Sequence, residues 1–474
     1  MSKSKRNKAP ASAASAPPSS SRQAAAADRL AAGTALRDKV PRHAQRTWKR
    51  DSTRVDPLAI LRASDKGRVQ KLLPVRYGRM LQSPFAFYRG SAAVMAADLA
   101  KTPSTGIRVQ ACGDCHLMNF GGFATPERNI LFDINDFDET LPAPWEWDVK
   151  RLVASFVLAA RSNRLSDGAG RDAAVACAAS YRKRLREYSE MSPLERWYAR
   201  ISSTDILEMM PGKRMKDRVE ARIAKATSKG GSDLAFPEIT EMVAGTISIH
   251  DNPPLIFHPG AEELQGEDFL TVAQYNLNAY RESLPNDRRL LLDEYRFVDA
   301  ALKVVGIGSV GTWCSVSLLM SAANQPLFLQ WKQARQSVLE PYAGKSEYAH
   351  HGERVVMGQR LMQPATDVFL GWATGKLGHQ SYVRQLRDAK IKPLVETFDT
   401  EMLTVYAKAC GWALARAHAK GGDSTKISGY LGTRDKFDEA MGSFAAAYAD
   451  QAERDHAALK AAVRAGKIEV LTET

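Results

Sequence analysis

A chain of 474 residues that is 44% hydrophobic and 25% charged has the composition of an ordinary folded protein, with length enough for roughly two or three cores. Its net charge of +13 is local, because residues 1–50 hold twelve Lys/Arg and two Asp/Glu, leaving only +3 for the rest. That excludes a basic surface spread over the whole protein; five sparse cysteines argue against a disulfide framework, and no segment reaches the ~18 uninterrupted apolar residues of a membrane span.

Residues 1–50 are rich in Ala, Ser, Pro and Lys with almost no large apolar side chains, so they are expected to be a disordered basic tail. Such a tail binds nucleic acid or anionic surfaces weakly by counterion release, or serves only as a solubilising extension. It contains no apolar core of a secretion signal, and a cytoplasmic protein is expected. Residues 51–105 mix Pro, Arg and aromatics, and Ser91–Ala100 reads as a short helix.

The alternating stretch Ile107–Ala111 reads as a strand and leads into Ala111-Cys-Gly-Asp-Cys-His-Leu-Met-Asn-Phe-Gly-Gly122, where two motifs overlap. Cys112-x-x-Cys115-His116 has the spacing of a c-type haem attachment, which would require export. Zinc would need a second ligand pair, and His350-His351 is the only other cluster. Asp114-x-His116-x-x-Asn119 instead supplies a carboxylate and an amide five positions apart, the acceptor base and metal ligand that phosphoryl transfer needs.

Two strand signals follow, Asn119–Ala124 and Ile130–Asn135, joined by the turn Thr125–Asn129. They deliver the chain to Asp133-Ile-Asn-Asp-Phe-Asp-Glu139, whose four carboxylates repel one another unless a cation is present. Asp148 stands where a helix N-cap belongs, ahead of the stripe Val149, Leu152, Val153, Phe156, Val157 and Ala160. From there to about 300 the pattern is mostly helical, with an extended stretch around Ile247–Pro259 and no chemical signature.

A different texture begins near 297: a strand, the glycine turn Gly306-Ile-Gly308-Ser-Val-Gly311, a second strand over Thr312–Met320, a turn, and a third strand ending on Lys332. A Rossmann turn would demand a helix directly after the glycines, whereas Trp313-Cys-Ser-Val-Ser is β-prone, so a glycine flap in a hairpin fits better. Further strands are expected at Arg354–Met362 and Asp367–Trp372, then helices at Met402–Lys420 and Lys436–Ala465. No internal repeat is present.

These parts fit one mechanism. The backbone at Gly306, Gly308 and Gly311 would approach the phosphates of ATP without a Cβ in the way. Lys332 would reach the same phosphates, with Glu340 as its ion-pair partner and Glu347 or Glu353 as substitutes. Asp136, Asp138 and Asn119 would hold Mg²⁺, and Asp114, with His116 beside it, would accept the proton of a hydroxyl. Arg76, Arg79 and Arg89 are candidates for substrate contact or for structural ion pairs.

Gly113-Asp114-x-His116-x-x-Asn119, a hairpin and Asp136-Phe137-Asp138 together resemble the catalytic core of aminoglycoside and choline kinase-type phosphotransferases. Trp147-Asp148-Val-Lys-Arg-Leu152 resembles the aspartate that braces their catalytic loop. From about 65 to 460 the chain also looks like a bacterial family of unknown function, through Phe85–Gly90, Gly113–Gly121, Asp133–Glu139, Lys303–Thr312 and Arg354–Arg360. The resemblance implies an α+β, two-lobed, protein-kinase-like fold. Two departures stand out: Cys112 replaces a usual histidine, and the glycine turn and lysine follow the catalytic loop instead of preceding it, which implies circular permutation. The expected organisation is a tail (1–50), a helical catalytic lobe (51–296) with an insert at 163–296, a β-rich nucleotide-binding lobe (297–375) and C-terminal helices completing the large lobe (376–474). The expected function is ATP- and Mg²⁺-dependent phosphoryl transfer to a hydroxyl-bearing small molecule or protein. A nucleotide-binding pseudokinase or an AMP-transferring enzyme is the alternative, and a haem protein the outsider.

Overall fold

The helix that organises the molecule is α1 (Trp145–Ser162), whose residues 145–160 are all buried. The expected stripe forms one side of it, and Trp145, Ala154, Leu158 and Ala159 make the other side apolar too, so it is surrounded rather than laid on a surface. It packs against α2 (Asp167–Glu190) and a long helix near the C-terminus, Lys436–Arg464. Trp145 stacks on Tyr181 with ring centroids 5.8 Å apart. The structure, a computed structural model, describes residues 25–227, 236, 238–243, 246–260, 264, 266–386 and 390–471.

The chain is a mixed α+β protein. Strands β1 (Arg108–Ala111) and β4 (Leu141–Pro144) form one antiparallel pair, and β2 (Phe120–Ala124) and β3 (Ile130–Ile134) form the expected hairpin. A small hairpin, β5 (Thr240–Val243) with β6 (Thr246–Ile249), follows. The remaining strands make one antiparallel sheet in the order β11-β12-β10-β9-β8-β7. Its members are β7 (Ile256–Phe257), β8 (Tyr295–Lys303), β9 (Cys314–Ser321), β10 (Pro326–Gln333), β11 (Gly371–Thr374) and β12 (Gln380–Gln385).

The alternation of side chains gives this sheet two unlike faces. Leu319, Leu327, Leu329, Trp331 and Val383 form one core with Leu277 and Tyr280 of helix α3 (Phe269–Arg281). On the other face Ala301, Val316, Leu318 and Phe328 meet Ile239 and Ile249, which flank and close the β5–β6 hairpin. Lys332 shares that second face, because it stands two residues beyond Gln330 and four beyond Phe328 along β10.

Three expectations change. Residues 25–50, expected to be disordered, include a helix at Ala26–Lys39, while residues 1–24 lie outside the described residues. This helix docks on Ser424–Leu431: Arg29 pairs with Asp423 at 3.1 Å, and a Cβ on Gly33 would stand 1.9 Å from the Lys426 carbonyl. Alanine-rich sequence is strongly helix-forming, and the small Gly33 side, not a large apolar stripe, makes the contact. Arg354–Met362, expected as a strand, lies in helix α4 (His351–Met362); Arg354, Val355, Gly358, Gln359 and Met362 are buried at helical spacing, and the Val355-Val356 pair misleads by its β propensity. The strand expected at 367–372 begins at Gly371, and β12 had no forecast. Helix α5 (Thr400–Gly421) falls where expected and crosses α2.

Candidate functional site

The loop after β1 is set by buried bonds. Gly113 has φ +83°, and a Cβ there would lie 2.5 Å from the Glu139 carbonyl, so only glycine makes this turn. Asp148 is not an N-cap, since α1 starts at Trp145; its carboxylate reaches out of the first turn to accept the amides of Cys112 (2.7 Å) and Gly113 (3.0 Å). The same carboxylate accepts from His418 of α5 at 3.2 Å, and the other ring nitrogen of His418 meets the Tyr181 hydroxyl at 2.9 Å. Asp148 therefore braces the loop from inside the first turn of the helix.

Asp114 projects from this loop. Both Nε (2.7 Å) and Nη2 of the buried Arg151 donate to its Oδ1. Its Oδ2 has the His116 ring 3.8 Å away and no closer donor among the described residues. Burial pushes the Asp114 carboxyl above the usual carboxylate range although Arg151 opposes it. Burial, helped by Arg89 and Arg151, drives His116 well below its ordinary value, so the imidazole is neutral. Asn119 donates its amide N–H to the Asp114 carbonyl at 2.7 Å, which leaves its side-chain oxygen as an open acceptor.

The acidic run reaches this loop through one backbone bond, from the Asn135 amide to the Asn119 carbonyl at 2.8 Å. Its four carboxylates divide. Asp133 is buried against Arg416 at 2.5 Å and takes no part in the site. Glu139 accepts the Val338 amide at 2.7 Å. Asp138 receives Lys332 Nζ at 2.6 Å, the Tyr382 hydroxyl at 2.6 Å and the Ser309 hydroxyl of the glycine turn at 3.2 Å. Asp136 lies 3.9 Å from Lys332, and burial together with Asp138 raises its carboxyl. Burial pulls Lys332 down, but Asp136 and Asp138 outweigh it and hold the ammonium well above its usual range.

The structure thus brings Asp114, His116, Asn119, Asp136, Asp138, Lys332 and the glycine turn together. Glu340 is not Lys332's partner: it accepts from Gln336 at 3.0 Å and lies 4.0 Å from His351. Helix α4 offers Arg354 to the site instead of an acid, donating to the carbonyls of Asp138 (2.8 Å) and Thr140 (2.6 Å). Asp138, expected to hold metal, accepts Tyr382 on Oδ1 and both Lys332 and Ser309 on Oδ2. The open oxygens suited to a hard cation belong to Asp136 and Asn119.

Arg151, His418, Tyr382 and Arg354 went unread in the sequence. Arg151 alone left a signal, a charged residue inside an apolar helical stripe. The thiols of Cys112 and Cys115 lie side by side in the apolar core, within 4.8 Å of each other and of the Asp148 carboxylate. Both thiols are buried there, and both Asp148 oxygens are already engaged by the amides of Cys112 and Gly113.

Residues 68–462 match the model of a family described as an uncharacterized protein conserved in bacteria, DUF2252. The chain belongs to that family. No curated protein and no solved structure matches this DUF2252 chain. No helix among its described residues is long and apolar enough to cross a membrane.

Proposed function

We propose that this DUF2252 protein is an ATP- and Mg²⁺-dependent phosphotransferase of circularly permuted, protein-kinase-like architecture, acting on a hydroxyl-bearing acceptor. The observation that carries the reading is the meeting of Lys332 with Asp136 and Asp138 across 194 residues of chain, with Ser309 of the glycine turn on the same carboxylate. Supporting it is the order strand, glycine turn, strand, lysine-bearing strand, helix, two strands over 295–385, which resembles the small lobe of protein kinases. Here that unit follows the catalytic loop instead of preceding it, as permutation requires.

The residues fit the two absent groups. Asp136 and Asn119 carry open oxygens for Mg²⁺, which would neutralise charge on the phosphates. Lys332, released from Asp138, and the backbone of the glycine turn would hold the phosphates. Asp114 Oδ2 would accept the acceptor's hydroxyl proton while Arg151 holds Oδ1, fixing the carboxylate's direction. A nucleotide-binding regulator without turnover is the second reading, favoured by the closed Lys332–Asp138 pair and by the absence of a glutamate from α4 at that lysine.

Incubating the protein with ATP labelled at the γ- or at the α-phosphate, with Mg²⁺ and pooled cell metabolites or proteins, tests the proposal. Label transfer from the γ-position alone is expected. Transfer from the α-position would make the enzyme an AMP transferase, and binding without transfer from either would favour the regulator.

A further inference from the structure

The arginines of the segment before β1 have separate fates. Arg76 is engaged with Asp65 at 2.6 Å and with the Gly90 carbonyl at 3.2 Å, and Arg79 donates to the Val305 carbonyl at 2.5 Å. Arg89 differs. Its Nε is buried without a partner, and its guanidinium donates no hydrogen bond to any described residue, resting 6.0 Å over the Phe85 ring. The short helix that carries it, Pro84–Gly90, ends against the glycine turn: the Arg89 carbonyl is 3.8 Å from where a side chain on Gly308 would begin.

On its other side Arg89 acts on the site's base, since its charge lowers the titration of both Asp114 and His116. His116 is 4% exposed, its Nδ1 has no partner, and its Nε2 is 3.8 Å from Asp114. A guanidinium that acts on Asp114 from a helix ending against the glycine turn, and an imidazole 3.8 Å from that carboxylate, thus each carry a buried nitrogen without a partner. The buried Nε of this half-buried guanidinium is left without an acceptor, and the group that satisfies a guanidinium fork with several oxygens at once is a phosphate-class oxyanion.

We propose that Arg89, with His116 beside it, forms the oxyanion subsite for the phosphoryl group in flight. The inference rests on the phosphotransferase reading and deepens it. As the acceptor oxygen forms its bond to the γ-phosphorus, the bond from that phosphorus to the bridging oxygen of ATP breaks. Its electron pair leaves on ADP, and the acceptor proton passes to Asp114 Oδ2. Arg89 neutralises the charge gathered on the three equatorial oxygens. The cation comes from a helix, whereas Lys332 comes from a strand of the sheet. An anionic group on the acceptor is the other source of the same chemistry, and the test separates the two.

The experiment measures binding of Mg-ADP, with and without fluoroaluminate as a mimic of the phosphoryl group in flight, to wild type, Arg89→Ala and Arg89→Lys. ATP turnover by the same proteins is followed with and without millimolar guanidinium. Mg-ADP alone should bind all three within about threefold. Fluoroaluminate should tighten ADP on wild type by a factor on the order of 10² and leave Arg89→Ala unchanged, with turnover down on the order of 10³ and partly restored by guanidinium. Arg89→Lys, which keeps the charge but not the fork, should fall between. Because Arg89 donates no hydrogen bond to any described residue, both variants should melt within a few degrees of wild type; a larger drop in both would mean that Arg89 is structural and would overturn the inference. If Arg89→Ala responds to fluoroaluminate as wild type does, the subsite is wrong while the phosphotransferase reading stands. A loss confined to a raised acceptor KM would assign Arg89 to an anion on the acceptor instead. Wild type that fails to bind Mg-ADP at all would remove both.

Discussion

The Asp114 loop and the glycine turn end at the same site but are held by different means. Around Asp114 the bonds are short, buried and numerous: Asp148 takes two loop amides, Arg151 takes the carboxylate, Ser155 accepts the Leu117 amide at 3.0 Å, and Tyr406 donates to the Leu117 carbonyl at 2.8 Å. The glycine turn exposes Gly306 and Gly308 to solvent. It is tied down by Arg68, which donates to the carbonyls of Val310 (2.5 Å) and Gly308 (3.0 Å), and by Ser309 on Asp138. A proton acceptor must be fixed in direction before the reaction, whereas backbone that closes on phosphates must be able to give way. On the proposed reading, the Lys332–Asp138 ion pair of the second region would give way to an incoming phosphate.

The sharpest way to break this contrast is at Asp148. Asp148→Ala leaves two buried amides and His418 without their acceptor and should cost about 3–5 kcal/mol, read as a fall in the midpoint of denaturant unfolding. A loss under about 1 kcal/mol would mean that the loop is not braced as described. Lys332→Met comes next: Asp138 keeps Tyr382 and Ser309, so the stability cost should be only about 1–2 kcal/mol. Its ATP affinity should fall by at least about tenfold in calorimetric titration, and unchanged affinity would detach Lys332 from the phosphates.

A pH-dependent effect concerns Glu139, whose carboxyl burial lifts to about 7. Between the carboxylate's ordinary value and 7 the folded protein holds a proton that the unfolded chain has released, so stability falls as pH rises through that window and levels off above it. Glu139→Gln should flatten that part of the profile in thermal melts from pH 4.5 to 8. Parallel profiles for mutant and wild type would contradict the assignment.

The difference between the regions also decides what the sequence could disclose. Asp114, Asn119 and Asp136 were legible because a single contiguous stretch carries them with a hairpin between, and local spacing is what pattern reading detects. The glycine turn and Lys332 were legible as strand, turn, strand, strand for the same reason. Partners joined by distant packing were not: His418 reaches Asp148 across 270 residues and Tyr382 reaches Asp138 across 244. Glu340 was chosen for Lys332 because it was close in sequence, yet the α4 helix turns Arg354 inward, and the acid came from the run already read as metal-binding. At the N-terminal end composition hid a helix, because Gly33 packs through its smallness.

The central claim is that one site divides binding and proton transfer between Asp136 and Asp114. The direct measurement is calorimetric titration of Mg-ATP into wild type, Asp136→Ala and Asp114→Asn, with single-turnover ATP consumption on the same samples. Asp136→Ala should lose the Mg²⁺-dependent part of binding and turnover together, because the phosphate charge is left uncompensated. Asp114→Asn should bind Mg-ATP within about threefold of wild type while turnover drops by a factor on the order of 10² or more. Retained turnover in Asp114→Asn, or Mg-dependent binding that survives in Asp136→Ala, would contradict the account.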